Sequence, residues 1–549
     1  MAPELFDLRS FSLPSDIIAR IHPAIPRYSA SVPFDIYDYN FLFHDPKTAQ
    51  IIRTGHSIGC FYIESPGMRN LLKKLRVDTF EMLTAASSVI RPGVAESGMM
   101  QEFIARHHDP SKRTYLVPEM EKILGETYGV MIYQEDVIKV VHHIAGLSLE
   151  EADLLRRAMS GKMRSHAAMQ ILTEKFFESC KKRNLKDHVA KELWRQIESF
   201  AGYSFCKAHS ASFALLSYQV AFLKAHYPAE FMSSVLTNQG GFYSPAVYVQ
   251  EAKRMGLTVL LPCINASAYD YVGVGTTIRI GLMAIKHFSR SSADTIIKER
   301  DAYGLYTSLP DFLVRTNIGH KETALLIRCG AMDCFRETRP TLMRMLDIYF
   351  NKIKLQDNAY ADLFMHESFE LLESVKSLDD YSIEKKCLAE YESFDYMVTR
   401  HPLHFYSEYL NESDIVMAGD MHKNNGKRIK MIGWYMTSKR IRTRKGAVMK
   451  FLSLEDLTGT FEAVIFPNVY ESVAEKTHSM GPYIVEGKAD DNNLIVSKLE
   501  LLAEKDIKAA FQYDSAENKY LPDDEGLTEE DFHLAQSLDI EKLRKAYVA

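Results

Sequence analysis

The sequence predicts a multidomain α+β protein, mostly helical over its first two thirds, with a small five-stranded β-barrel of the OB type near its C-terminus. Three observations carry this. The chain has 549 residues with 46% hydrophobic and 25% charged side chains, enough for three to four buried cores at about 150 residues per domain. Apolar residues recur at helical spacing from 46 to about 235. The period then switches to two between 427 and 502, as half-buried strands require.

The same composition excludes other classes. No apolar run reaches the roughly 18–20 residues of a membrane span, so no membrane partner is expected. The start, MAPELFDLRSFSLPSD, is acidic and lacks an apolar leader core. Seven cysteines form no CxxC pair, which suits a reduced, cytoplasmic protein without a disulfide framework. Cys206 and His209 have no further ligand at zinc spacing, so no metal is expected there. Net charge is −6, but it is unevenly placed. Acids gather at 522–532, while basic clusters stand at 69–76, 156–164, 181–183 and 439–445. Local basic patches rather than the overall average set phosphate binding.

Residues 1–45, rich in Pro, Ser and aromatics, read as an extended lead-in. Ser148 and Glu151 form a capping box, so a helix should start at about 149. Residues 166–184 and 188–200 are amphipathic. Residues 210–227 are apolar on nearly every face and stop at Pro228, which describes a buried central helix. A short helix at 246–256 and a β-like piece follow, then short helices from 291 to 348. Residues 349–426 are polar and charge-mixed, and read as a helical connector. Five strands follow in 427–502, with a turn at Asp456–Gly459, a length and strand count that suit an OB-type Greek-key barrel. The tail, 503–549, is acidic.

Four continuous segments carry a family resemblance: DPKTAQIIRTGHSIGCFYIESPGMRNLLKKL (45–75), VIRPGVAESGMMQEFIARH (89–107), ETYGVMIYQEDVIKVVHHIAG (126–146) with SLEEADLLRRAM (148–159), and FAGYSFCKAHSASFALLSYQVAFLKAHYPAEFM (200–232). Together they resemble the bacterial DNA polymerase III alpha subunit, the C-family polymerases. The resemblance implies a palm- and thumb-proximal segment at 46–110, fingers at 111–245, a helix-hairpin-helix-like domain at 246–348, and the OB barrel. It further implies a DNA-directed DNA polymerase of replication or repair synthesis, acting on primer–template DNA and deoxynucleoside triphosphates. The rival reading is a palm-less, non-catalytic DNA-binding or clamp-associated accessory protein.

The family's PHP domain and its palm, with three metal-binding aspartates, have no counterpart segment here. The nearest look-alike, Asp35 and Asp38, has its acids three apart rather than two and reads as a lead-in turn. Two carboxylate-held ions drive nucleotidyl transfer, so this chain alone is expected to be inactive. Mg²⁺ is expected in the complete polymerase and not on this chain, and a separate palm-bearing polypeptide is an expected partner.

By the resemblance, Arg91, Arg156, Arg157 and Lys162 lie near the incoming nucleotide, and Lys207, His209 and Ser210, at the start of the next helix, are expected to bind it too. Arginine forks suit triphosphate oxygens, and a helix start near Lys207 favours anions. Arg69, Lys73 and Lys74 would approach the duplex backbone. Lys439, Arg440, Arg442, Arg444 and Lys445, beside the barrel aromatics Trp434, Tyr435, Phe451 and Phe461, would form a single-strand groove. In the helix-hairpin-helix place, His287, Phe288, Ser289 and Arg290 replace the expected glycines, which should weaken phosphate capture by bare amides, with Arg290 compensating by charge. Leu363 and Phe364 resemble the anchors of a sliding-clamp peptide, making a clamp an expected partner.

Overall fold

In the computed structural model, residues 35–90, 98–159, 166–198, 206–353, 372, 375–412, 414–443, 446–490 and 493–502 are described. They fall into two compact units, 35–226 and 227–502. Arg91, Lys162, Leu363, Phe364, Arg444 and Lys445 lie outside the described residues. No helix among those described is long and apolar enough to cross a membrane.

The first unit contains helices and, among its described residues, no strand. Its centre is the expected buried helix, Lys207–His226, which packs on helices Pro46–Thr54 and Phe80–Val89. Even Lys224 is buried there. Its Nζ donates to the carbonyls of His56 and Ile58, each at 2.7 Å, which is how a buried ammonium is tolerated. At the helix end, His226 Nε2 lies 2.9 Å from the carboxylate of Asp45, the cap of helix Pro46–Thr54. The expected helix at about 149 begins at Leu149. Ser148 and Glu151 close the capping box at 3.2 and 2.9 Å. Asp35 and Asp38 accept the amides of Tyr37 and Phe41, the carboxylates of a turn and a helix cap.

The second unit opens with helix Pro228–Asn238, then Pro245–Arg254. A small sheet follows, formed by β1 (Thr258–Leu260), β2 (Val272–Val274) and β3 (Thr277–Arg279) in the order β1-β3-β2. Helices Arg290–Tyr303, Leu309–Thr316, His320–Arg328 and Arg339–Ile348 come next. Two of them, Leu309–Thr316 and Arg339–Ile348, carry Pro in the first turn, where its missing amide is no loss.

Beyond them lies a closed barrel of β4 (Arg428–Arg442), β5 (Val448–Glu455), β6 (Thr460–Ile465), β7 (Tyr483–Asp490) and β8 (Asn493–Leu501). Its order is β4-β5-β6-β8-β7, with helix Pro467–Val473 between β6 and β7. This is the five-stranded Greek-key OB arrangement. β4 closes it by pairing with β7 over its first half and β5 over its second. The strand turns at Gly433, where a Cβ would stand 2.7 Å from Leu454 Cβ and 2.9 Å from Phe461 Cζ, so no larger residue fits.

The described part of the connector is more than a linker. Cys387, Met397, Leu403 and Tyr406 are buried in one cluster with Ile432, Trp434 and Leu502. Its polar composition hid this, because even Glu390 is fully buried. That carboxylate accepts the amides of Val398 and Thr399 at 2.8 and 2.9 Å.

Candidate nucleotide and nucleic-acid interface

The start of helix Lys207–His226 is where the first, third and fourth segments meet, with Ser88 beside the second. Ser210 Oγ lies 2.6 Å from Ser88 Oγ, one residue before the second segment. His209 packs at a tilt against Phe213, ring centroids 4.3 Å apart, and Phe213 packs against Phe61 and Tyr62 of the first segment at 5.4 and 4.9 Å. The Lys207 amide donates to Glu135 Oε2 at 2.9 Å, and its Nζ lies 2.5 Å from Glu126 Oε2, both in the third segment. That hydrogen bond and charge hold the Glu126 carboxyl below its ordinary range.

Arg156 reaches the same third segment. Its guanidinium donates to Gln134 Oε1 at 2.9 Å and to Asp153 Oδ1. Arg157 Nε lies 2.7 Å from Asp153 Oδ2, with its side chain 58% exposed. The first turn of helix Gln134–Val140 thus ties Arg156, through Gln134, and Lys207, through Glu135, to one anchor. Asp153, held ionised chiefly by the Arg156 hydrogen bond, keeps two arginines on one carboxylate. Such a pair is exchangeable, because triphosphate oxygens offer both forks a stronger bidentate partner.

The sequence pattern exposes the cations and hides their carboxylates. Asp153 stands three and four residues before the arginines, a helical ion-pair spacing, and could have been read. Glu126, Gln134 and Glu135 lie about 70–80 positions or more than 20 from their partners in the chain, with no local signal. Ser210 is buried at 3% exposure, so its hydroxyl fixes the helix start from inside while Lys207 stands exposed.

Of the residues expected to face duplex DNA, Arg69 is buried, with its Nε donating to the Gly55 carbonyl at 2.8 Å. It braces the loop before helix Pro66–Leu75. Lys73 is half-buried, and burial, with the Arg69 charge, pushes its ammonium down to about 8. Lys74 is exposed.

In the second unit, the hairpin keeps its shape without its glycine. His287 adopts φ +59°, a left-handed conformation that costs a non-glycine residue about 1–2 kcal/mol. Ser289 caps helix Arg290–Tyr303. The hairpin amide is already taken, since Ser289 N donates to Glu322 Oε1 at 2.8 Å and Ser292 Oγ to Glu322 Oε2 at 2.6 Å. Arg290 lies over the Tyr269 ring at 3.6 Å and pairs with Asp294 at 3.0 Å.

On the barrel, Lys439 and Arg442 are exposed near the end of β4 and Arg440 is half-buried. Trp434, Tyr435 and Phe461 belong to the core at 8%, 7% and 4% exposure. Alternation in a closed barrel sends them inward or against the connector. Phe451, opposite Lys439, remains partly exposed.

A helical unit is followed along the chain by a helical hairpin and an OB-type barrel. Comparison with known proteins shows what the chain is similar to. Residues 19–184 match the bacterial DNA polymerase III alpha subunit finger domain, and residues 256–342 match a helix-hairpin-helix motif. The chain is 33% identical over 463 residues to the DNA polymerase III subunit alpha of Aquifex aeolicus, covering 83% of this chain and 38% of that protein. It is 32% identical over 493 residues to the protein of that name from Staphylococcus aureus strain MRSA252, covering 88% and 45%. The chain is thus a relative of the bacterial DNA polymerase III alpha subunits, and spans less than half the length of these two.

Proposed function

We propose that this chain forms the fingers-to-OB part of a DNA-directed DNA polymerase, holding primer–template DNA and the incoming deoxynucleoside triphosphate. The observation that carries the reading is the convergence of three family segments on the start of helix Lys207–His226, with Arg156 and Lys207 tied to one helix turn. Exposed Arg157 and the partly exposed Arg156 would release Asp153 and grip the β- and γ-phosphates. Lys207 would leave Glu126 and add its charge at the helix start, where the helix dipole favours an anion. This contributes positioning and charge stabilisation to phosphoryl transfer. In the same reading Lys74 and the β4 cations Lys439 and Arg442 meet the DNA backbone, while Arg69 serves as a brace.

Mg²⁺ belongs to such a reaction. Among the described residues, no three His, Cys, Asp or Glu side chains converge as a metal site, and no step is routed through the ion here. A palm-bearing polypeptide would supply that part. The test is primer extension with Mg²⁺ by the purified 549-residue chain, alone and mixed with the PHP-and-palm portion of a bacterial DNA polymerase III alpha subunit. Extension is expected only in the mixture. Extension by the chain alone, or none in the mixture, contradicts the reading.

A further inference from the structure

Within the second unit a cavity of about 830 Å³ opens between helix Pro245–Arg254, strand β1, residues 398–404 and the β5–β6 turn. Its walls are unusually cationic. Lys253, Arg279, Arg400, His401 and His404 line it. Its acids are all satisfied elsewhere. Asp333 is held by Arg339 at 3.0 and 2.8 Å, and Asp456 accepts the amides of Thr458 and Gly459 at 2.7 and 2.9 Å. Arg254, also in the wall, is neutralised by Glu251 and buried Glu455.

Three cations are left over. Arg279 donates to the Leu261 carbonyl at 2.8 Å and Lys253 to the Val398 carbonyl. These hydrogen bonds fix the side chains without cancelling charge. Arg400 is exposed at the rim. Among the described residues none of the three is in an ion pair. Glu390 accepts the amides of Val398 and Thr399 and the Thr399 hydroxyl. Burial lowers the proton affinity of both Lys253 and Arg279, and outweighs the opposing charges of Glu390 and Glu455 on Lys253 and of Cys263 on Arg279. Cys263 lies in the same wall, and the hydrogen bond from Cys334 brings its thiol down to about 6, so at neutral pH it offsets part of the Arg279 charge and leaves Arg400 the cation most open to a ligand.

A cavity of this size, whose walls carry Lys253, Arg254, Arg279 and Arg400 against the carboxylates of Asp333 and Asp456, suits an anion. We propose that it is a binding site for a phosphate ester, contributed by a nucleotide or by a DNA single strand, gripped by Lys253, Arg279 and Arg400. The site shares no residue with the arginines of the first unit, so it stands or falls independently of the proposed finger function.

The test is calorimetric titration of the full chain carrying Arg156→Ala and Arg157→Ala, which silences the finger arginines. Pyrophosphate, deoxyadenosine triphosphate and a short oligothymidylate are the titrants, at low salt. One-site binding of at least one is expected, weakened about tenfold by Arg400→Gln, which removes a charge-assisted hydrogen bond. Arg279→Gln should weaken it similarly and Arg279→Lys less. Arg400 is exposed and unpaired, so its substitution leaves the fold intact and remains decisive if an Arg279 variant misfolds. Arg400-dependent binding of pyrophosphate and the triphosphate identifies a nucleotide as the source, and Arg400-dependent binding of the oligonucleotide alone identifies a strand. Absence of saturable binding, or binding indifferent to Arg400→Gln, overturns the proposal.

Discussion

Asp136 shows how much of the finger site depends on one buried carboxylate. At 4% exposure it accepts the amides of Ile132 and Tyr133 at 3.0 and 2.9 Å, fixing the turn from which Gln134 and Glu135 reach Arg156 and Lys207. Burial outweighs those bonds and pushes its carboxyl up to about 6 from 3.8. A raised acid means the folded state binds more protons than the unfolded state between those two values. Stability therefore falls as pH rises through that window. Asp136→Asn keeps an acceptor and removes the titration. Thermal melts of the two proteins from about pH 4 to 7 should show the variant gaining on the wild type up to about pH 6 and then running parallel. A constant difference would mean Asp136 titrates normally. Asp136, Gln134 and Glu135 were legible as residues of a family segment, yet the partnership of Glu135 with Lys207, 72 positions away, was not. Long-range polar pairing leaves no period in a sequence.

At the scale of elements, the barrel was legible almost strand for strand. Alternation and the Asp456 turn are local, and closure follows from five strands of matched length. The connector was misread, because burial of Glu390 and Cys387 depends on the barrel face they meet. The hairpin was half legible. Loss of its glycines was visible, but not that Glu322 sits on its amide. Both elements meet in one salt-dependent binding experiment. Glu322→Gln removes a negative charge from the hairpin and should raise DNA affinity, with the log K versus log salt slope steeper by about 0.9 per phosphate gained. Replacing Arg442, Arg444 and Lys445 with Ala should weaken single-strand binding and flatten the slope by about 0.7 for each phosphate no longer neutralised. An unchanged slope in the triple variant would remove the barrel from the DNA-binding surface. An unchanged slope in Glu322→Gln would leave the hairpin silent for reasons other than its carboxylate.

For the whole molecule, the central claim is that the cations at the start of helix Lys207–His226 serve nucleotide rather than fold. Arg156 and Arg157 separate the two. Both hang on Asp153 near the surface, at 21% and 58% exposure, and removing such pairs changes stability by no more than about 1 kcal/mol. A grip on triphosphate that strengthens in the transition state is worth several times that, a factor of about 100 or more in rate. The most direct measurement is nucleotide incorporation by the chain combined with its palm-bearing partner, using Arg156→Ala with Arg157→Ala. Incorporation should fall at least about a hundredfold while melting temperature and primer–template affinity stay at wild-type values. Undiminished incorporation, or early melting that accounts for the loss, would make the two arginines structural ion-pair residues and contradict the account.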